Sequence, residues 1–282
     1  MADKPENTLN DLFAYRFGDP PDIHELVAGD DTLAYLAGRS SHRHFLETPV
    51  DAALIDTLAA AALSAPTKSD LQQRDIVIIE DPSLRKNIND LFPEDPWIGK
   101  APAFLVFCGN NRRQRQLHEW RDRTLANDHL DNFFNAAVDA AIVLATFQIA
   151  AERVGLGGCA ISAVRNHARR ISELLGLPNH VFPVTGFTLG WPKFDNRVSP
   201  RLPLAVTVHK DRFSEKDLER HVDAYDARRA EVQPYANQRF ADDEEYGSVE
   251  SYTWSEDKVR QYSKPERADF GAFVRAKGFK LD

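Results

Sequence analysis

The chain has 282 residues, which is enough for one large or two ordinary domains with a substantial core. Apolar residues make up 43% and charged residues 28%, a composition typical of soluble globular proteins. The net charge of −8 argues against a general nucleic-acid binder, because a phosphate backbone attracts a basic face. Two cysteines, Cys108 and Cys159, are too few for a disulfide framework and indicate buried thiols in a reducing compartment.

The first elements are predicted from cap residues and apolar spacing. Residues 1–30 are polar, acidic and proline-containing, without the basic and apolar stretches of a signal peptide. We therefore predict a cytoplasmic protein whose N-terminal extension wraps the surface or is partly disordered. A short helix over Thr32–Gly38 ends at its glycine, and a second helix over Pro49–Ala62 starts at Asp51. A buried strand over Asp75–Glu80 and a helix over Ser83–Leu91 follow.

The longest apolar segment is Asn132–Arg153, which is apolar on nearly every side and rich in alanine. Asp139 and Gln148 interrupt it, so we predict a central core helix rather than a membrane span. Its small alanines also suit a subunit interface. Before it, Ala103–Cys108 is predicted as a buried strand and Arg112–Leu125 as a charged surface helix. The arginines of that helix are read either as a solvated face or as a patch for an acidic partner.

The C-terminal half mixes strands and helices without strict alternation. After the glycine-rich turn at residues 155–158, the predicted elements are a short strand through Ile161, a helix over Asn166–Leu175, strands over Val181–Gly190 and Leu204–His209, and helices over Ser214–Glu231, Ser255–Tyr262 and Pro265–Gly278. This order favours an α+β fold with a helix-covered sheet over a doubly wound fold.

Two polar clusters stand on either side of the Pro49–Ala62 helix. The first holds Arg39, Ser40, Ser41 and Arg43, and two guanidinium groups with two hydroxyls suit a phosphate dianion. A solvated basic turn is the alternative. His42 and His44 alternate in the same segment, but no third ligand accompanies them, so no metal site is predicted.

The second cluster is the loop Ser64–Gln73, whose polar side chains suit the edge of a flat heterocycle. An ordinary polar connection is the alternative. Its candidate binding residues are Thr67, Lys68, Ser69 and Gln72.

Two further clusters lie later in the chain. Glycines such as Gly157 and Gly158 let a backbone approach a ring or phosphate closely, although a helix end explains them equally well. Their spacing excludes the dinucleotide-binding fingerprint. Arg201 stands between Pro200 and Pro203, and this stiff extended segment would place one guanidinium accurately.

The order and spacing of these four clusters resemble the nitroreductase superfamily, in particular its oxygen-insensitive NAD(P)H nitroreductases and flavin reductase P. The resemblance covers the chain from about residue 32 to its end. The matching segments are Arg39 to Phe45, Thr67 to Gln72, Gly155 to Gly158 with Arg165-Asn166, Leu189 to Pro192, Pro200 to Pro203, and Thr253-Trp254-Ser255.

The resemblance implies a nitroreductase-like α+β fold, with a central mixed, mainly antiparallel sheet covered by helices in an intertwined homodimer. By this resemblance, residues 1–30 would be an N-terminal extension, and residues 31–282 would form an FMN-binding domain with a C-terminal extension. The implied activity passes electrons from NADPH or NADH through FMN to a small acceptor, a nitroaromatic, quinone or flavin, by a ping-pong mechanism. Neither nucleic acid nor membrane is an implied partner.

The resemblance also assigns roles to residues. Arg39, Ser41, Arg43 and Arg201 would hold the FMN phosphate, and Gly157 and Gly158 would bring backbone close to the flavin ring. The residues that would contact the flavin or lie near it are Thr67, Ser69, Gln72, Asp95 and Trp97. No side chain is needed as acid, base or nucleophile, because the flavin performs hydride chemistry.

Three departures from the family pattern bear on these roles. Ser40 replaces a usual arginine and Ser199 a usual lysine, which weakens the phosphate site unless Lys68 or Arg197 compensates. The acidic stretch at 236–250 replaces a basic one that recognises the NADPH 2′-phosphate in relatives. Two alternative functions remain: the chain is a flavin-binding protein of the same fold without redox activity, or it is an interaction protein.

Overall fold

The computed structural model describes residues 8–195 and 197–282. The chain divides into two compact units. The described residues of Met1–Ser40 and Asn196–Glu266 form the unit that we call the helical unit. Ser41–Asp195 and Arg267–Asp282 form the second, which we call the sheet unit.

A four-stranded sheet forms the centre of the sheet unit. Its strands are β1 (Arg74–Ile78), β2 (Ala103–Asn110), β3 (Gly157–Ile161) and β4 (Val181–Gly190), in the spatial order β1-β2-β4-β3. The three pairings are antiparallel, and a register shift interrupts the β2–β4 ladder between Phe107 and Cys108. The α+β class and the mainly antiparallel sheet are confirmed.

Helices cover both faces of this sheet. They are needed on both because the apolar side chains of β2 point alternately to the two faces. Phe104 and Val106 belong to one apolar cluster, whereas Leu105 and Phe107 belong to another, because successive side chains of a strand point to opposite faces. A strand buried on both faces reads as a continuous apolar run, which is what the sequence shows.

Two of the helices on the faces begin at aspartate caps, Asp51 and Asp81. α3 (Ala52–Leu63) starts at Asp51, whose carboxylate accepts a hydrogen bond from Leu54 N at 3.2 Å, and it packs with α6 (Leu130–Arg153) on one face. α4 (Pro82–Asn89) and α7 (Ala168–Leu174) lie on the other face. α5 (Arg112–Trp120) follows β2, and α11 (Phe270–Ala276) packs against Phe182 of β4.

The helical unit contains α1 (Leu9–Phe17), α2 (Asp31–Gly38), α8 (Leu204–Thr207), α9 (Leu218–Val232) and α10 (Trp254–Ser263). α1 was not predicted. Leu9 and Leu12 of α1 are buried against Ala37 of α2, so this part of the N-terminal segment is built into a small core. Residues 1–7 of the predicted extension lie outside the described residues.

Three predicted elements differ from the observed ones. The predicted strand over Leu204–His209 is wrong: its first four residues form α8, and Val206 N and Val208 N bond locally to Pro203 O and Leu204 O. Its β-branched residues favour a strand only where a neighbouring strand pairs with them, and the described residues of the helical unit contain none. Helix α5 stops at Trp120, since Asp122 adopts a left-handed conformation. A 3₁₀ turn over Ser162–His167 precedes α7.

The length and composition of α6 would also suit a membrane span. Its Ala136, Val143 and Phe147 are fully or almost fully buried in the apolar clusters of the sheet unit, as expected for the predicted core helix.

Candidate functional site

Arg16 of α1 ties together the segments that carry two of the predicted phosphate arginines. Its side chain is 5% exposed. The guanidinium donates to Ala37 O at 2.6 Å, to Arg39 O at 2.5 Å and to Ser199 O at 2.9 Å. In return, Arg201 N donates to Arg16 O at 2.6 Å. The Arg16 side chain therefore fixes the backbone at Arg39 and at Ser199, and the Arg16 backbone carbonyl fixes the amide of Arg201.

The charges of these three arginines act on one another. Burial and the neighbouring positive charges of Arg201 and Arg39 lower the pKa of Arg16 from 12.5 to about 10. The cluster is thus a concentration of positive charge inside the helical unit. A bound anion would relieve this repulsion, so the donor set fits a phosphate group.

A second, half-buried arginine supports the same segment. Arg228 of α9 donates to Tyr15 O at 2.7 Å, to Arg16 O at 3.1 Å and to Arg201 O at 2.8 Å. Tyr225 donates its hydroxyl to Pro200 O at 3.2 Å. The predicted rigidity of the Pro200–Pro203 segment thus rests on α9 as well as on its prolines.

A cavity of about 620 Å³ opens beside Arg201 in the helical unit. Its walls combine cationic and aromatic side chains, which suits an anionic ligand with an apolar body. Among the lining residues are Arg201, Tyr225, Arg229, Tyr235, Trp254 and Lys258.

The segment that carries Ser41 and Arg43 belongs to the sheet unit, where it runs beside the ends of β3 and β4. His42 N donates to Gly158 O at 3.0 Å, and Phe45 forms a bridge with Pro192. Arg43 is exposed, with its guanidinium 5.7 Å from the Trp97 ring centre. The Trp97 indole donates to Asp95 at 3.0 Å. The structure therefore brings Arg43, which was assigned to the phosphate, next to Trp97 and Asp95, which were assigned to the surroundings of the flavin.

Gly157 and Gly158 open β3 rather than close a helix. A Cβ at Gly157 would lie 2.7 Å from the His42 ring, and one at Gly158 would lie 2.2 Å from the Phe187 ring. Side chains of the protein therefore fill the space that both glycines provide. Their contact with a flavin stays a prediction, whereas their need for packing follows directly from these distances. Gly155, at φ +87°, serves the end of α6.

The loop predicted to meet the heterocycle is held by a carboxylate outside the predicted site. Asp139 of α6 is 1% exposed and accepts hydrogen bonds from Thr67 Oγ1 at 2.5 Å, Lys68 N at 3.0 Å and Gln73 N at 2.9 Å. The Lys68 ammonium donates to Ser69 Oγ at 2.8 Å, and Gln72 N donates to Thr67 Oγ1 at 2.9 Å. The side chains of Lys68, Ser69 and Gln72 are exposed.

Two side chains of helix α5 hold the same loop by donating hydrogen bonds to backbone carbonyls of the loop. Arg113 donates to Gln72 O and to Asp75, both at 2.6 Å, and Gln114 donates to Leu71 O at 2.8 Å. Arg115 pairs with Asp128. Two arginines of the predicted solvated face are therefore engaged within the protein.

The structure thus groups the predicted residues in three places. Arg39 and Arg201 meet around Arg16, Arg43 meets Asp95 through Trp97, and Thr67 to Gln72 form one loop around Asp139. Among residues 8–195 and 197–282, no group of three or more histidine, cysteine or acidic side chains is arranged to hold a metal ion. Sequence reasoning missed Arg16 and Asp139 as site residues. The sequence offered a signal for Asp139, which is a carboxylate inside a predicted apolar helix. It offered no such signal for Arg16.

Two family models match the chain. The model described as the nitroreductase family matches residues 36–191, and that of its C-terminal domain matches residues 199–282. Together they span both units of the structure.

Curated proteins and solved structures agree with this match. FMN reductase [NAD(P)H] of Bacillus subtilis is 31% identical over 256 residues, covering 90% of this chain and 99% of the relative. Oxygen-insensitive NADPH nitroreductase of Salmonella typhimurium is 35% identical over 200 residues, covering 71% and 81%. The structure of B. megaterium NfrA2 superposes with a TM-score of 0.79 at 29% identity, covering 90% of this chain and 99% of that one. The chain belongs to the nitroreductase family.

Proposed function

We propose that this chain is an FMN-dependent oxidoreductase that transfers electrons from NAD(P)H to a small acceptor. Relatives named FMN reductase, nitroreductase and NADPH-flavin oxidoreductase support this activity. The observation that carries the proposal is the cluster of Arg16, Arg39 and Arg201, in which the buried Arg16 fixes the backbone at Arg39, Ser199 and Arg201. Burial and, second, the neighbouring positive charges lower the pKa of Arg16, as expected where three guanidinium groups lie close together. Such a cluster is stable next to a dianion such as the FMN phosphate.

Each part of the site has a task in this proposal. Arg39 and Arg201 bind the phosphate, with their backbones fixed by Arg16. Ser40, Ser41 and Arg43 add hydroxyl donors and a third guanidinium. Short charge-assisted hydrogen bonds of this kind give both affinity and a fixed orientation.

The loop at residues 67–72 presents the exposed side chains of Lys68, Ser69 and Gln72 to the edge of the flavin ring. Thr67, which is half-buried, and the nearby Asp95 are also assigned to the flavin site. Bound FMN supplies the hydride chemistry. The chain's own residues bind and orient, and the nicotinamide and the acceptor occupy the same place in turn, which gives ping-pong kinetics. Nitroaromatics, quinones and flavins are the acceptor classes that fit.

We further propose a cytoplasmic homodimer. α6 carries a stripe of exposed apolar residues, with Leu130, Phe134 and Val138 exposed by 47%, 61% and 37%. These residues recur every four positions on one side of the helix, and alanines continue the stripe toward its C-terminal end. An exposed apolar stripe of this length marks an interaction surface, and a second copy of the chain would cover it.

The dimer is tested by Phe134→Glu, which places a charge in the middle of the stripe. We expect the variant to elute as a monomer in size-exclusion chromatography with light scattering, while the wild type elutes as a dimer. Asp131→Asn, an exposed change on the same helix, serves as the control and stays dimeric. A wild-type monomer, or a Phe134→Glu dimer, would refute this interface.

The activity is tested on the purified protein. We expect a yellow chromophore that NADH or NADPH bleaches under anaerobic conditions and that a quinone or nitroarene restores. A colourless protein that gains no thermal stability from added FMN would refute the proposal. A yellow protein that neither nicotinamide bleaches would favour the alternative, a non-redox flavin-binding protein.

A further inference from the structure

Asp139 lies in the middle of α6, on its buried side. A carboxylate with 1% exposure is costly unless hydrogen bonds compensate for its lost hydration. Both of its oxygens accept bonds from the loop Thr67–Gln73: Oδ1 from Lys68 N, and Oδ2 from Thr67 Oγ1 and Gln73 N. An acceptor-only pattern of this kind is that of an ionised carboxylate.

The loop that Asp139 binds has an unfavourable backbone conformation. Ser69, Asp70 and Gln72 have φ values of 48°, 56° and 52°, in the left-handed region that residues with a Cβ rarely adopt. Such conformations persist only where the surrounding structure enforces them, and they cluster at binding sites.

The contacts of the loop show how the conformation is enforced. The two amides that donate to Asp139, those of Lys68 and Gln73, lie on either side of the three left-handed residues. The carbonyls of Leu71 and Gln72 are held from α5 by Gln114 and Arg113. Asp139 therefore holds both ends of the strained turn, while α5 holds its middle.

We propose that Asp139 is a positioning residue of the flavin site: by fixing the loop at residues 67–73, it sets how Ser69 and Gln72 meet the flavin. This inference rests on the proposed function. It adds a residue that does not itself touch the cofactor and that acts through the backbone of those that do.

The test compares Asp139→Asn with Asp131→Asn in the FMN-loaded protein. Asparagine has nearly the shape of aspartate, but its amide nitrogen cannot accept a bond, so the amide of Lys68 or of Gln73 loses its acceptor. We expect hydrogen exchange at the affected amide to accelerate about tenfold or more, the factor that corresponds to one lost hydrogen bond to a charged group. Asp131 is exposed on the same helix, so Asp131→Asn leaves both amides at wild-type rates.

The flavin gives a second readout that a purely structural role would not change. We expect Asp139→Asn to raise the dissociation constant of FMN about tenfold and to shift the visible absorption bands of the bound flavin. A variant that is less stable but exchanges normally at residues 67–73 and binds flavin with an unchanged spectrum would overturn the proposal.

Thr67→Val keeps the test decisive if Asp139→Asn does not fold. It removes one donor to Asp139 and the acceptor of Gln72 N while leaving the carboxylate in place. We expect faster exchange at the amides of Lys68 and Gln73, which donate to Asp139, together with weaker FMN binding; wild-type values of both would contradict the proposal. If exchange changes as expected but even the wild type binds no FMN, the loop assignment stands and the proposed function fails.

Discussion

Replacing Arg16 by methionine tests whether the phosphate arginines depend on a buried side chain. Methionine fills a similar volume but cannot donate a hydrogen bond. The three bonds lost are those to the carbonyls of Ala37, Arg39 and Ser199. A hydrogen bond that involves a charged group contributes about 1.5–3 kcal/mol to stability. The loss of three such bonds is partly offset, because the substitution also removes the cost of burying a cation. We therefore expect the free energy of unfolding to fall by about 3 kcal/mol.

FMN binding should weaken as well, because the carbonyls of Arg39 and of Ser199, two residues before Arg201, lose the side chain that fixes them. Losing one well-placed charge-assisted bond to the phosphate raises the dissociation constant about tenfold to hundredfold. Urea unfolding of the apoprotein measures stability, and a flavin-fluorescence titration measures affinity. Arg220→Met is the matched control, since Arg220 is exposed and its ion pair with Asp217 is 3.5 Å long.

Arg16→Lys separates geometry from charge. Lysine keeps the positive charge but replaces a planar fork by a single ammonium group, so it cannot reach three divergent carbonyls with the same geometry. We expect Arg16→Lys to lose FMN affinity too, by at least fivefold, although less than Arg16→Met. Wild-type affinity in the lysine variant would show that charge alone matters, and wild-type affinity in both variants would refute the reasoning.

Two further predictions concern acid stability and nicotinamide preference. Hydrogen bonds from Arg115 and Lys280 lower the pKa of Asp128 from 3.8 to about 2, so its stabilising contribution is present above pH 3.8 and is lost as the pH falls toward 2. Acid unfolding curves should therefore show Asp128→Asn less stable than the wild type at pH 5, with the difference vanishing near pH 2, whereas a constant difference would contradict this cause. Arg239, the arginine of the acidic stretch, donates its Nε to the buried Asp257 at 3.0 Å, and this ion pair neutralises its charge. We expect NADH to be used at least as well as NADPH, and Arg239→Ala to change the KM for NADPH less than threefold in steady-state kinetics; a larger rise would show that Arg239 binds the phosphate.

Local patterns determined most of the secondary structure. Asp51 marked the start of α3, and the apolar runs of β2 and β4 marked the two inner strands. These signals lie within a few residues of the elements that they specify, so they are visible in the sequence without knowledge of the fold. The prediction of a strand after Pro203 failed for the complementary reason, because β-branched residues form a strand only when a partner strand is present.

The same distinction between local and long-range information applies to the candidate site. The arginines, hydroxyls and glycines of the four clusters were found from their spacing and from the family resemblance. The residues that hold them in place were not. Arg16 reaches Ser199 across 183 positions of sequence, and Thr67 reaches Asp139 across 72.

The sequence by itself therefore determined which chemical groups this protein has and most of its helices and strands, although not α1 or α8. Only the tertiary structure decided that Arg16 joins the two segments predicted to bind the phosphate and that Asp139 fixes a strained loop. Helix caps and apolar periodicity depend on neighbouring residues, whereas a buried charge finds its hydrogen-bond partners only after distant segments have packed against it.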